Sequence, residues 1–554
     1  MDRASFRTQV LTRHLNNHHN PATDLLNPAT DLLHPATCLS YTPPELSEPP
    51  PDFDTESLRR LLDRDSMEEI DYMFNLMIQS DLFCRRERGG KVFISPDFNE
   101  SMEQQRDMTM RRIGYLRERG VFDGWLTRKG PDAELSGFTR ANSCGVFDHS
   151  LGIKLGVHFF LWGGAIQFMG TKRHHDKWLK PTETYEVIGC FALTELGHGS
   201  NKYWIGGAAN RFAAFMCEDC CEFNEHDKGL ATAVRYSLSR RAFSLKPNEP
   251  EFLLLDYPSH QRRLLPLIAK TYALSFASEY LKMIYVKRTP QSIKTVHVVS
   301  SALKATLTWH SMRTLQECRE ACGGQGEKNE NHVGQLKSEY DVQLTFEGDN
   351  NVLMQQVSKA LFMEFLAAKK RGKPIKGLGL EHLNKPAPII PSNLTSSILR
   401  TTQFQTDMFC LRVRDLLHRF VTEVSQRQAQ GESKEHIFTV TYQITEDLGR
   451  AFSDRLVLQT FLDVEATVPT GSLKNVLALI RSMYTTIVME EDLSFLRYGY
   501  LSTDNVAVVR KEVMRLCIEI RPLALPLVSS FGIPDALLGP VGFDWIDANA
   551  WSSV

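Results

Sequence analysis

Eleven cysteines in 554 residues are too few and too scattered to staple a small secreted domain, which excludes a disulfide scaffold. Charge of one sign is also lacking. The chain has 64 basic and 66 acidic side chains, and a net charge of −2 gives no global attraction to nucleic acid or an anionic membrane. An anionic ligand must therefore be met by a local cluster. Clean apolar runs are missing too. The longest, Leu151–Gly170, carries Lys154, His158, Gln167 and five glycines, and is predicted to be a core helix rather than a membrane span. The N-terminus shows no apolar segment of the secretory type. Strand-like alternation is scarce, and no Ser/His/Asp order, nucleophile elbow or Walker loop occurs.

What is present is ordinary globular composition, 42% hydrophobic and 10% aromatic, with length for about three or four domains. Arg3, Arg7, Arg13 and His14 stand against the single acid Asp2 in the first nineteen residues. Arg7, Val10, Leu11, His14 and Leu15 share one helical face. The stretch Arg7 to Leu15 is similar to a peroxisomal N-terminal signal; a mitochondrial transit peptide or a plain tail are the alternatives. Three heptapeptide copies follow, Asn20–Leu26, Asn27–Leu33 and the diverged His34–Ser40, too short to stack as a solenoid. With eight prolines between Pro21 and Pro51, residues 1–54 are predicted to be an unpacked N-terminal region.

From Thr55 the apolar residues recur three and four apart (Leu58, Leu61, Leu62, then Ile70, Met73, Phe74 and Met77), which predicts helices. This pattern places an N-terminal helical domain at 55–190 and a helical block at 231–371. A Pro/Gly-rich linker follows at 372–392, and a further helical block at 393–554. The expected fold class is mostly α.

Four segments carry polar chemistry. In Gly189–Asn201 an apolar run ends in Thr194, Glu195 and two glycines, which suits a flat hydrogen-bonding ligand or simply a strand entering a turn. Arg235, Arg240, Arg241, Arg262 and Arg263 gather guanidinium groups that suit phosphates, or a solvated helix face. Cys322–Gly326 (CGGQG) is either a phosphate-approaching turn or a helix cap. Glu347 precedes a helix that Asp349 or Asn350 could cap, and a carboxylate there suits a general base or a capping acid. Cys217, Cys220, Cys221 and His226 have partial zinc spacing without a matching second pair, so no metal site is expected.

Together these segments resemble the peroxisomal acyl-CoA oxidase family, nearest to its plant medium-chain members, over nearly everything from Tyr41 to Val554. The phrases FALTELGHGSN, YWIGGAAN, YSLSRRAF, LLDYPSHQRRLLP, CGGQG and TFEGDNNVLMQQVSKALF carry the likeness. The resemblance implies acyl-CoA dehydrogenase/oxidase-like helical domains with an extra C-terminal helical domain, which together with the N-terminal signal favours an oxidase over a dehydrogenase. It implies FAD as cofactor, acyl-CoA and molecular oxygen as substrates, and trans-2-enoyl-CoA and hydrogen peroxide as products. It further implies a homodimer, an import receptor as partner, no nucleic acid and no membrane span. By resemblance Glu347 removes the α-proton and Thr194 and Gly207 contact the flavin. Arg240, Gln261, Gly323, Gly324 and Gly326 would hold the diphosphate across a dimer interface.

One departure stands out. The family places a β-barrel between the Thr194 segment and the helix bearing Arg240, yet only Lys202–Arg235 separate Asn201 from Tyr236. A barrel needs roughly twice that length. The reading is therefore a truncated middle β domain, with a remnant at 191–230. The competing expectation is an inactive remnant unable to bind FAD.

Overall fold

A computed structural model describes residues 48–80, 93, 100–191, 225–244 and 251–543. All of these fall in one of two compact units, Glu45–Val554. The heptapeptide copies, Arg7–Leu15, Thr194, Gly207, Cys217, Cys220 and Cys221 lie outside the described residues.

The architecture is almost wholly helical. The first module comprises α1 (Thr55–Asp63), α2 (Met67–Ile78), α3 (Met102–Glu118), α4 (Pro131–Phe147), α5 (His149–Met169) and α6 (Lys172–Glu183). Helix α1 starts where the Asp54 carboxylate accepts from the Glu56 and Ser57 amides, and α3 where Ser101 and Gln104 form a reciprocal capping box. The apolar stripes of α1 and α2 bury Leu58, Leu62, Met73, Phe74 and Met77, as the spacing predicts.

The expectation for Leu151–Gly170 holds in part. Helix α5 packs on α4, but only 44% of its apolar window is buried, and by length and composition alone it would pass for a membrane span. Its middle, Gly156–Gly163, is wound as a π-helix. There Trp162 lies so close to Gly189 that a Cβ at 189 would stand 1.9 Å from the indole, so only glycine fits.

The second module comprises α7 (Glu225–Ser239), α8 (Pro258–Val286), α9 (Ile293–Ala321), α10 (Val333–Tyr340) and α11 (Asn350–Arg371). The third contains α12 (Thr402–Ala429), α13 (Tyr442–Thr467), α14 (Ser472–Glu491) and α15 (Thr503–Ile520). Helix α11 ends at Gly372, whose φ of +60° closes the helix as only glycine does cheaply. Across the Pro/Gly-rich 372–392 stretch the apolar core is continuous. Helix α8 packs on α9 and also on α13, α14 and α15, joining Leu264, Phe276 and Leu281 to Phe461, Ile487 and Val513. Among the described residues the only sheet is the pair β1 (Arg241–Ala242) and β2 (Phe252–Leu253), antiparallel, with Arg241 opposite Leu253.

Candidate functional site

Two groups of the sequence-predicted residues are held in place, one at the C-terminal end of α9 and one beside its middle. At the C-terminal end lie Arg240, Gln261 and the Gly323–Gly326 turn. Arg240 follows α7, and its carbonyl accepts the Leu254 amide (2.8 Å), so the end of α7 is tied to the segment entering α8. Gln261 sits in the first turn of α8, where its amide donates to the Tyr257 carbonyl (3.0 Å). Its side chain is buried, and its Oε1 has no hydrogen-bond partner among the described residues. Arg263, one turn on, pairs with Glu317 (2.9 Å) and Glu320 (3.0 Å) of α9. Those pairs bring the start of α8 beside the end of α9, and with it the glycine turn.

In that turn Gly323 has φ +57°, and nothing lies within 4 Å of a Cβ built at Gly323 or Gly324. Gly326 is the opposite case: its Cβ would stand 2.3 Å from the Arg319 carbonyl oxygen, so the turn closes only around glycine. An exposed glycine pair on an anchored third glycine leaves backbone open to a partner at the end of a helix.

Arg235, Arg241, Arg262 and Arg263 all make contacts within the fold. Arg235 pairs with Asp535 (3.1 Å), Arg241 donates to the Glu251 carbonyl (3.0 Å), Arg262 pairs with Glu490 (3.2 Å), and Arg263 pairs as above. Arg240 remains exposed at the end of α7. The Cys318 and Cys322 thiols are buried, which pushes the Cys322 thiol up to about 12 and Cys318 well above its ordinary value, so both stay protonated. Among the described residues no group of three His, Cys, Asp or Glu could hold a metal ion, and His226 is engaged with Thr271 (3.1 Å) and Ser311 (3.2 Å).

Beside the middle of α9 stands Glu347. It lies between a short turn ending at Leu344 and the start of α11, where Asp349 accepts from the Asn351 (3.0 Å) and Val352 (3.2 Å) amides. The capping acid is thus Asp349. Glu347 adopts φ +56° and Gly348 φ +119°. A left-handed non-glycine residue costs about 1 kcal/mol or more and is found where the surroundings impose it. Glu347 is half-buried, with its Oε2 shielded from solvent.

Lys304, eighteen residues before Cys322 on α9, sits beneath this turn. At 1.5 Å per residue, Glu347 therefore lies about 27 Å along α9 from the glycine turn. One subunit does not bring Glu347 together with Arg240, Gln261 and Gly323–Gly326. A ligand reaching both must be long, or each end serves a different copy of the chain.

Two positions escaped the sequence reading. His158 accepts the Gly189 amide at Nδ1 (3.1 Å) and meets the Thr182 carbonyl at Nε2 (2.9 Å), an arrangement that places the proton on Nε2. Burial keeps its ring neutral by lowering its pKa. It fixes the chain where the Phe191–Asn201 segment begins. Lys304 is the other, a buried cation that no motif announces.

His260, next to Gln261, gives a pH prediction. Burial, with the nearby Arg263 cation, lowers its pKa to about 4, and its Nε2 meets the Ser237 hydroxyl (2.8 Å). Between about 4 and 6.5 the unfolded chain binds this proton and the folded chain does not. The stability from the neutral ring is complete above about pH 6.5 and is lost as pH falls towards 4. His260→Gln is expected to flatten the fall in Tm between those pH values, measured by scanning fluorimetry; an unchanged slope refutes the assignment.

The chain is similar to known proteins over most of its length. Residues 215–362 match the family profile "Acyl-CoA oxidase, C-alpha1 domain", and residues 401–541 match "Acyl-CoA oxidase". The Arabidopsis thaliana protein "Acyl-coenzyme A oxidase 3, peroxisomal" is 52% identical over 628 aligned positions, covering 91% of this chain and 93% of that one. Those positions outnumber the 554 residues of this chain, so the alignment crosses positions where this chain has none. A second Arabidopsis thaliana protein, "Putative acyl-coenzyme A oxidase 3.2, peroxisomal", is 50% identical with the same coverage. The crystal structure of acyl-CoA oxidase 1 from Yarrowia lipolytica superposes with a TM-score of 0.76 at 20% identity, covering 91% of this chain and 93% of that one. The acyl-CoA oxidase-1 of Caenorhabditis elegans, complexed with FAD and ATP, has a TM-score of 0.74 at 17% identity, covering 89% and 91%.

Proposed function

The chain belongs to the acyl-CoA oxidase family, and from that premise we propose that it oxidises an acyl-CoA to the trans-2-enoyl-CoA in the peroxisome with FAD as cofactor. The observation that carries this reading is the placement of Glu347. It is a half-buried carboxylate in a left-handed turn at the mouth of α11, freed from capping by Asp349. Glu347 takes the α-proton of the thioester onto its carboxylate as the β-hydrogen leaves with its electron pair. FAD bound here would supply the hydride acceptor, and molecular oxygen, taking up the two electrons and two protons, would leave as hydrogen peroxide.

The residues at the far end of α9 fit the diphosphate of such a cofactor. Gln261 offers a buried amide whose oxygen lacks a partner among the described residues, Arg240 offers an exposed guanidinium, and Gly323 and Gly324 offer open backbone. The separation of about 27 Å from Glu347 supports a homodimer in which the glycine turn of one copy serves the cofactor of the other. Thr194 and Gly207 complete the flavin contacts in this reading. Medium-chain acyl groups as substrates, and import through the Arg7–Leu15 signal, rest on the sequence resemblance.

The shortened middle domain belongs to the same proposal, and the 628 aligned positions support it. Purified protein should carry visible flavin absorbance near one FAD per subunit and release peroxide with acyl-CoA, most rapidly for medium chains. Colourless protein would mean that the shortened middle no longer closes the site. Gly326→Ala should lower flavin affinity at least about tenfold, because the added methyl forces the turn off the Arg319 carbonyl. Equilibrium dialysis against FAD measures this, and wild-type affinity in the variant would remove the glycine turn from the cofactor site.

A further inference from the structure

The Glu347 turn is held from below by a fully buried amine. Lys304, in the middle of α9, donates from Nζ to the Gly348 carbonyl (2.8 Å) and to the Asn350 Oδ1 (3.0 Å). Asn350, itself buried, donates from Nδ2 to the Thr308 hydroxyl (2.9 Å), and that hydroxyl donates to the Lys304 carbonyl (2.9 Å). The circuit is closed. It joins α9 to Gly348 and Asn350, the two residues that flank Asp349, and thereby to Glu347 just before them.

Lysine is almost never fully buried unless its charge is met. Here it is spent on a backbone carbonyl and a side-chain amide of one turn. That turn contains two consecutive positive-φ residues, Glu347 and Gly348, a conformation the backbone does not hold unaided. The cap made by Asp349 fixes the α11 side of the turn, and Lys304 fixes the carbonyl that Glu347 would otherwise swing with.

We propose that Lys304, through Gly348 and Asn350, is the positioning residue that holds Glu347 in its left-handed conformation facing the substrate. The inference rests on Glu347 as the base. Lys304 touches no reacting atom in this scheme and acts only through the turn.

The test compares wild type, Lys304→Met, Thr308→Val and Glu347→Gln as full-length chains with bound flavin. In Lys304→Met, amide hydrogen exchange over Leu344–Leu353 should rise at least about tenfold while peptides of α8 keep their wild-type rates. The kcat per bound flavin should fall about a hundredfold with KM changed less than about twofold, the cost of a base misplaced by an ångström. Thr308→Val, which loosens only the Asn350 arm, should move both readouts the same way by less. In a Glu347→Gln background, adding Lys304→Met should change the residual rate less than about twofold.

Wild-type exchange across the turn in Lys304→Met overturns the proposal, and that readout needs no turnover. So does an unchanged kcat per flavin, or a full Lys304 effect persisting without Glu347. If Lys304→Met does not fold, Thr308→Val decides by the same measures. Wild-type turnover in Glu347→Gln would instead overturn the assignment of the base and leave the exchange result standing.

Discussion

Glu347→Gln is expected to bind flavin at the wild-type ratio and to turn over acyl-CoA about a thousandfold more slowly. The amide keeps the shape and volume of the carboxylate. The cap from Asp349 and the contacts of Lys304 to Gly348 and Asn350 do not involve the Glu347 side chain, so the turn should survive the change. What is lost is the capacity to accept a proton at that point. The loss should therefore fall on kcat, with KM little changed, because the thioester is held by other groups. Stopped-flow reduction of the bound flavin under acyl-CoA measures the step directly. Reduction at the wild-type rate would assign the base elsewhere.

The largest effect on stability is expected at Arg412, far from that site. This guanidinium is fully buried in the third helical module, where Nε donates to the Ser494 hydroxyl (3.0 Å) and Nη1 to Asp454 (2.7 Å). Nη2 pairs with Asp492, and the group lies 4.8 Å from the Phe495 ring centre. One cation thus ties α12 to α13 and to the chain leaving α14. Burial raises the Asp454 pKa even against the pull of Arg412, so without that cation the carboxylate has still less to keep it charged. Arg412→Leu leaves two acids and a hydroxyl facing an apolar side chain, and should cost about 3–5 kcal/mol, the usual penalty for breaking one side of a buried ion pair. Urea denaturation followed by circular dichroism reads this out. A loss below about 1 kcal/mol would mean that solvent reaches the pair. Flavin affinity should change little until the module unfolds.

Much of this molecule was legible as sequence. The three- and four-residue spacing of Leu58, Leu62, Met73, Phe74 and Met77 predicted helices and the faces they bury, because an amphipathic helix encodes its own orientation. Asp349, ahead of α11, announced a helix start through local hydrogen bonds. The family was carried by short phrases around Glu347, Gln261 and Gly326, where backbone conformation or close approach restricts the residue type. Sequence also separated Arg240 from the solvated-face reading only as an open choice. The fold pairs Arg235, Arg262 and Arg263 with acids distant in sequence.

Tertiary structure alone decided the rest, and the reason is range. Lys304 lies 43 residues before Glu347, and nothing in its neighbours along α9 marks it as anything but a surface lysine on a helix. Only the packing of α9 under α11 puts its amine against the Gly348 carbonyl. The same holds for the continuity of the core across the 372–392 stretch. Proline and glycine there break the local pattern, but α8 packs on helices from both sides, a contact that local propensity does not encode. What the sequence by itself determined was the helices, their caps and the lineage, since these depend on residues within a turn of one another. Where Glu347 and the glycine turn lie along α9, and what holds the Glu347 turn in place, depended on contacts between residues tens to hundreds of positions apart.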